Sequence, residues 1–335
     1  MNTLNTPILF LIFNRLDTTK KVFETIKKNK PSKLYIASDG ARAHKQGEKE
    51  IVQQLRNFVL ENINWDCKVQ TLFRQENLGC KEAVSTAISW FFNNEEMGII
   101  LEDDCLPDDS FFYFCQDLLI KYQNDSRIWL ITGTNDLVEN VSTDKESYYF
   151  SKYEHIWGWA SWRRAWKYYD KDISYYPDLK AKNIFQKLFA NKDEYLYFSK
   201  IYDKLYLKGI DTWDYQWKLT IMINNGLSII PTVNLISNIG FGADATHTHS
   251  AEDDNANRKT GKITFPLQHP FYIIPNFAND EQKRKLILQG TNKLKIMIKV
   301  LKTHSISEIL KKLIHCCKKR ERISVSASIR AIFII

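Results

Sequence analysis

Over its first 130 residues the chain alternates between two hydrophobic periods. Ile8 to Phe13 is a continuous apolar run, the signature of a strand buried on both faces. Asp17 or Thr18 can cap the helix that follows, with Val22, Phe23 and Ile26 on one face. Leu34 to Ala37 predicts a second strand, ending in Ser38-Asp39-Gly40. A helix over 47–61 follows, with Ile51, Val52, Leu55, Phe58 and Val59 at helical spacing. Val69 to Phe73 predicts a third strand, 81–93 a helix, Gly98 to Leu101 a fourth strand, and about 110–122 a helix facing inward through Phe111, Phe114, Cys115, Leu118 and Tyr122. Arg127 to Thr132 predicts a fifth strand. This βαβα alternation predicts an α/β fold with a mostly parallel central sheet flanked by helices.

The pattern changes after residue 135. Residues 140–147 are polar and predict a loop. Four tryptophans then fall within ten residues, at 157, 159, 162 and 166. Trp162 and Trp166, at i,i+4 spacing on an expected helix, are best placed in the core. Trp157 and Trp159 flank Gly158, so core packing and a stacking wall for a sugar ring are both open to them. A second cluster runs from Gly209 to Trp217. It places Asp211 and Asp214 at the start of an apolar helical stretch reaching Ile223. One of these acids is expected to cap that helix, and the other to be the freer carboxylate. Aromatic neighbours would desolvate such a carboxylate and suit it to general-base work. Leu227 to Pro231 predicts a strand, and Gly240 to His249 a flexible loop carrying Thr246 and His247.

Charge is uneven. From Lys283 to the end there are 14 Lys and Arg against Glu308 and Glu321, so this tail carries +12 and the first 282 residues −4. The body therefore gives no electrostatic reason to expect nucleic acid as a partner. In the tail, Leu294, Ile296, Ile298 and Leu301, then Ile309, Leu310, Leu313 and Ile314, can form apolar faces opposed by Lys. That is the pattern of a helix on an anionic membrane surface or of one docked on a partner. No apolar stretch approaches the roughly 20 residues of a membrane span. The six cysteines include no CxxC pair, and no signal-peptide pattern is visible. Reduced thiols in a cytoplasmic protein, peripheral on the inner face of the cell membrane, are the expectation.

In open α/β sheets ligands bind beyond the carboxyl ends of the strands. Read in order, those ends carry Asn14-Arg15, Asp39-Gly40, Asn77-Leu78-Gly79 and Glu102-Asp103-Asp104. Each of Asn14, Asp39 and Asn77 could merely shape a turn. Three adjacent carboxylates repel one another unless a cation sits among them, and hard divalent cations prefer oxygen ligands. Together the four ends could hold a diphosphate through a metal, leaving Asp39 for a base or ribose.

Five stretches resemble in order the nucleotide-sugar-dependent glycosyltransferases of the GT-A fold, nearest the N-acetylglucosaminyltransferase I type: Pro7-Ile8-Leu9-Phe10 running to Asn14-Arg15, Ser38-Asp39-Gly40, Leu101-Glu102-Asp103-Asp104 with Pro107 and Phe111-Phe112, Trp157-Gly158-Trp159, and Trp213-Asp214 with a Gly/His loop beyond. The likeness covers about residues 7–250. It implies a GT-A, Rossmann-like domain over 1–275, with a nucleotide-sugar-binding half at 1–135 and an acceptor-binding half at 136–275. A basic helical tail over 276–335 would follow. It implies Mn²⁺ or Mg²⁺ on Asp104, with His247 as a further ligand. Asn14, Arg15, Asp39, Lys81, Glu102, Asp103 and Thr246 would contact the nucleotide-sugar donor, Asp39 reading a uracil ring. Asp214 would be the catalytic base, with Asp211 open because the family has two acids where this chain has Asp214-Tyr215. Trp157 and Trp159 would face a saccharide or lipid-linked saccharide acceptor. The implied activity is inverting transfer of a hexosyl or N-acetylhexosaminyl group from a UDP-sugar. A sugar nucleotidyltransferase would share the sheet, but Asn14-Arg15-Leu16-Asp17 lacks the glycine-rich loop of those enzymes. A non-catalytic glycan-binding or membrane-associated assembly protein would leave the strand-end acids unexplained.

Overall fold

A computed structural model describes residues 4–137, 145–241 and 256–289. The first half follows the alternation. β1 (Ile8–Ile12), α1 (Leu16–Asn29), β2 (Lys33–Ser38), α2 (Glu48–Glu61), β3 (Lys68–Phe73), α3 (Gly79–Asn94) and β4 (Met97–Glu102) succeed one another. A short β5 (Cys105–Pro107), α4 (Asp109–Lys121) and β6 (Ile128–Thr132) follow. The second half contains β7 (Tyr148–Ser151), β8 (Trp159–Trp162), α5 (Arg163–Trp166), α6 (Tyr176–Ala181) and α7 (Ile184–Lys187). It continues with α8 (Lys192–Lys208), α9 (Asp214–Ile223), β9 (Leu227–Pro231), β10 (Ile236–Asn238) and α10 (Phe277–Gln289).

Eight strands form one sheet in the order β3-β2-β1-β4-β8-β6-β9-β7. The first four are mutually parallel, as strands joined by helices should be; the inner ones are apolar and buried, while the edge strand β3 is half-exposed. The expected fifth strand does not pair with the fourth. β8 is inserted between β4 and β6, antiparallel to both, so the carboxyl ends of β4 and β6 share one edge with the start of β8. β10 pairs antiparallel with β5 in a separate ribbon.

Two apolar layers sandwich the sheet. One holds Phe10, Phe23, Phe111, Phe114 and Trp162; the other holds Phe91, Trp159, Trp166, Trp213 and Trp217. Three local expectations need correction. Neither Asp17 nor Thr18 caps α1; extended Arg15 precedes it, and its carbonyl takes the Thr19 N–H at 3.1 Å. Ile51 is exposed, because α2 turns Val52, Leu55 and Val59 to the sheet. Trp162 ends a strand rather than lying on a helix, yet it is buried, as is Trp166. The chain divides into compact units at 1–281 and 282–335. Of the second only the end of α10 is described, and the tail's apolar positions from Leu294 onward lie outside the described residues. No described helix is long and apolar enough to cross a membrane.

Candidate active site

The register of the parallel strands sets the site. Leu11 lies beside Glu102, Ile12 beside Ser38, and Ser38 beside Phe73, so the segments leaving β1, β2, β3 and β4 emerge level with one another. Asn14-Arg15, Asp39-Gly40, Arg74 and the acidic triplet therefore stand along one edge.

The triplet acquires its cation from within the chain. Arg15 Nη1 donates to Asp104 Oδ2 at 2.8 Å, and Nη2 donates to Asp103 Oδ1. Burial works against the guanidinium charge, but Asp103 and Asp104 outweigh it and hold the group firmly protonated. Burial pushes Glu102 up to about 8, with Asp104 and Asp103 adding to the rise and Arg15 opposing it. Asp103 is pushed up to about 6, again chiefly by burial. Its Oδ2 is buried without a hydrogen-bond partner. The β5–β10 ribbon covers this corner. The Ile239 N–H reaches the Asp104 carbonyl at 2.9 Å, and a Cβ on Gly240 would lie 2.2 Å from Asp104 Oδ2 and 2.5 Å from Arg15 Nη1. Only a glycine passes there.

Asp39 both shapes its turn and serves α3. It accepts from the N–H groups of Gly40 (2.9 Å), Leu78 (3.0 Å) and Gly79 (3.2 Å), and from Asn77 Nδ2 (2.9 Å). Burial still pushes its carboxyl above the ordinary range. Asp211 takes the next two amides of α3, Cys80 at 3.0 Å and Lys81 at 2.7 Å. Two carboxylates thus satisfy the positive end of that helix. This corrects the expectation that Asp211 or Asp214 caps α9. That helix begins after Trp213 without a side-chain cap. The Lys81 ammonium pairs with Asp172 at 2.7 Å.

Asp214 accepts from the Thr212 hydroxyl and lies close enough to Glu102 to raise it. Cys80 marks the convergence: burial first, then Glu102, Asp211, Asp214 and Asp39, drive its thiol well above the ordinary range. The four described cysteines are free.

The two flanking tryptophans separate. Trp159 is fully buried and stacks on Trp213 with centroids 5.8 Å apart, so its ring has no face left for an acceptor. Trp157 is half-buried, set against His155 at 4.6 Å and Phe241 at 5.8 Å. Gly158 makes the turn between them at φ +59°.

A cleft of about 210 Å³ gathers most of these groups. Asn14, Arg15, Asp39, Glu102, Asp103 and Asp211 line it; Asp104 lies just behind, paired to Arg15. Thr246 and His247 lie outside the described residues. The cleft also contains Arg42, Arg74, Phe13 and Cys80, which the motif reading missed. Their signal was positional: Phe13 directly follows β1, Arg74 directly follows β3, and Arg42 shares the loop after Asp39. Arg42 is fixed by Glu48, whose carboxylate it grips with its side chain and its N–H. Glu48 also takes Asn14 Nδ2 at 2.9 Å, and this set, with Arg42 the largest cause, pulls its carboxyl down to about 2. Among the described residues no three His, Cys, Asp or Glu side chains form a metal cage.

No family model matches the chain, and no curated protein matches it. Solved structures show partial likeness. HddC from Yersinia pseudotuberculosis has a TM-score of 0.30 at 13% identity, over 53% of this chain and 86% of that one. A cytidylyltransferase from Leptospira borgpetersenii serovar Hardjo-bovis scores 0.29 at 13% identity, over 49% and 63%. The glycosyltransferase GlyE of Streptococcus pneumoniae TIGR4 scores 0.27 at 9% identity, over 68% and 45%. At these scores the likenesses assign no activity to this chain.

Proposed function

We propose that the protein is a glycosyltransferase. It would transfer a sugar from a nucleoside diphosphate sugar, with UDP as the expected nucleotide, to a saccharide or lipid-linked saccharide. The observation that supports this best is the convergence of Arg15, Asp39, Glu102, Asp103 and Asp211 on one cleft at the strand ends, with Asp214 acting electrostatically on Glu102. Arg42 and Arg74 add two guanidinium groups to the same cleft.

The acids fit a divalent cation. Asp103 carries a buried, unpartnered oxygen, and Asp104 is its neighbour. The lack of a three-residue cage among the described side chains is compatible with this, since Mg²⁺-type ions commonly use one or two carboxylates and take further oxygens from substrate phosphates. Asp104 would hold the ion, and when bound it would neutralise charge on the departing diphosphate.

The chain's own residues account for the remaining chemistry. Arg15 has two charged N–H donors already aimed at anionic oxygens, and a diphosphate offers it the same geometry. Asp214 accepts the proton of the acceptor hydroxyl as that oxygen bonds to the anomeric carbon. The bond from that carbon to the diphosphate oxygen breaks, and its electron pair leaves with the nucleoside diphosphate. With one separate base and no second carboxylate assigned as nucleophile, displacement is single and configuration inverts.

A thermal-shift panel of nucleoside diphosphate sugars, with and without Mn²⁺, tests the reading. Metal-dependent stabilisation by one nucleotide is expected. Asp214→Asn should keep that shift and lose roughly 10²–10⁴-fold in transfer. No response to any nucleotide sugar would overturn the proposal. So would pyrophosphate release from a nucleoside triphosphate and a sugar phosphate.

A further inference from the structure

Far along the chain from the acids, the segment leading into α10 and that helix's first residue display large apolar side chains to solvent. Phe271 is 86% exposed, Tyr272 68%, Phe277 65% and Ile274 56%. Single exposed apolar residues are ordinary on a protein surface; four within seven residues make a patch.

The patch is held in place. Ser147 binds Gln268 in both directions, its N–H donating to the Gln268 carbonyl and its Oγ accepting the Gln268 N–H, each at 2.8 Å. The Tyr148 hydroxyl meets His269 Nδ1 at 2.9 Å. The Asn276 N–H donates to the Phe150 carbonyl at 2.8 Å, and Asp280 takes the Lys152 N–H at 3.1 Å. The segment is therefore laced along β7, the last strand of the sheet. Within it Ile273 packs against the core, while the Phe271 and Tyr272 rings lie 4.7 Å apart edge to face outside it. A frame fixed by this many backbone contacts cannot simply fold its rings away.

The surrounding charge narrows the occupant. The Lys152 ammonium sits 5.9 Å from the centre of the Phe277 ring. In sequence the patch runs directly into the segment from Lys283 onward, which carries +12. Exposed aromatic rings followed by clustered Lys and Arg match the two layers of an anionic bilayer surface: rings at the acyl boundary and cations at the phosphates. We propose that the 271–277 patch docks the folded domain onto an anionic lipid surface. This rests on the patch and on the charge that follows it in sequence, and stands whatever the cleft binds.

The test uses the full chain and two sets of vesicles, phosphatidylcholine alone and phosphatidylcholine with phosphatidylglycerol. Wild type should co-sediment with the anionic vesicles, and added salt should weaken it. The triple variant Phe271→Ala, Tyr272→Ala, Phe277→Ala should lose about tenfold in binding, with an unchanged circular dichroism spectrum and melting temperature. Unchanged binding by a folded triple variant would overturn the proposal, as would no binding by wild type. A vesicle-free, concentration-dependent dimer that the triple variant abolishes would assign the patch to a second copy of the chain, and would overturn it as well.

Discussion

Replacing Arg15 with Gln tests the electrostatics of the acidic corner most directly. The guanidinium is the cation that three adjacent acids require, and it is only 26% exposed, against 4% for the Asp103 side chain and 13% for Asp104. Removing one partner of a buried ion pair leaves uncompensated charge, at a typical cost of 3–5 kcal/mol. Because Arg15 keeps some solvent contact, about 3 kcal/mol is expected at about pH 8.5, or a fall of roughly 6 °C in melting temperature. The loss should shrink on acidification. Glu102 and Asp103 have folded-state values raised to about 8 and about 6, above their ordinary 4.5 and 3.8. Raised carboxyls favour the folded state while protonated, so their stabilisation is present at low pH and is lost as pH climbs through the folded values. Without Arg15 both values rise further and the two acids stay neutral over a wider range, so at about pH 5.5 the variant's deficit should be clearly smaller than at about pH 8.5, what remains being the lost Asp104 pair. Urea unfolding in EDTA at the two pH values reads this. Adding Mn²⁺ at high pH should restore part of the variant's stability, and more than it adds to wild type. Equal destabilisation at both pH values would refute the argument, since Arg15 would then act by packing rather than by neutralising the acids.

Gly240→Ala puts a Cβ into the Asp104–Arg15 pair, 2.2 Å from the carboxylate oxygen, and should weaken nucleotide binding by about tenfold, or about 1.4 kcal/mol by titration calorimetry. Glu48→Gln loosens Arg42 and Asn14. Because Glu48 is depressed to about 2, its stabilisation is present above its ordinary 4.5 and disappears as pH falls toward 2, so wild type and variant should converge in stability only in strong acid. Asp211→Ala uncovers the Cys80 and Lys81 amides and should cost about 1 kcal/mol of stability. Its loss of transfer activity should fall well short of that of Asp214→Asn; a larger loss would return Asp211 to the role of base.

What the sequence revealed and what it hid divide along physical lines. The inner strands of the parallel half are largely apolar and each helix has one apolar stripe, so local periodicity located β1, β2 and β4, and the strand-end rule then brought Arg15, Asp39, Glu102 and Asp103 to one cleft. The insertion of β8 between β4 and β6 was not legible. Trp159-Ala160-Ser161-Trp162 has no period that tells an inner antiparallel strand from the start of a helix, and its partners are about 30 and 60 residues away in sequence. The same ambiguity made Trp159 a candidate sugar platform when it is core. Asp211 shows the remaining gap. Its neighbours in sequence offered it the N-terminus of α9, yet tertiary folding hands it the N-terminus of α3, whose amides lie 130 residues earlier. A helix end is an acceptor-seeking site whichever segment reaches it, so capping chemistry can be read from residue type while the helix being capped cannot. That leaves Asp214, which opens α9 and accepts from the Thr212 hydroxyl, as the acid near Glu102 whose side chain caps no helix amide among the described residues, and it is the one to substitute first.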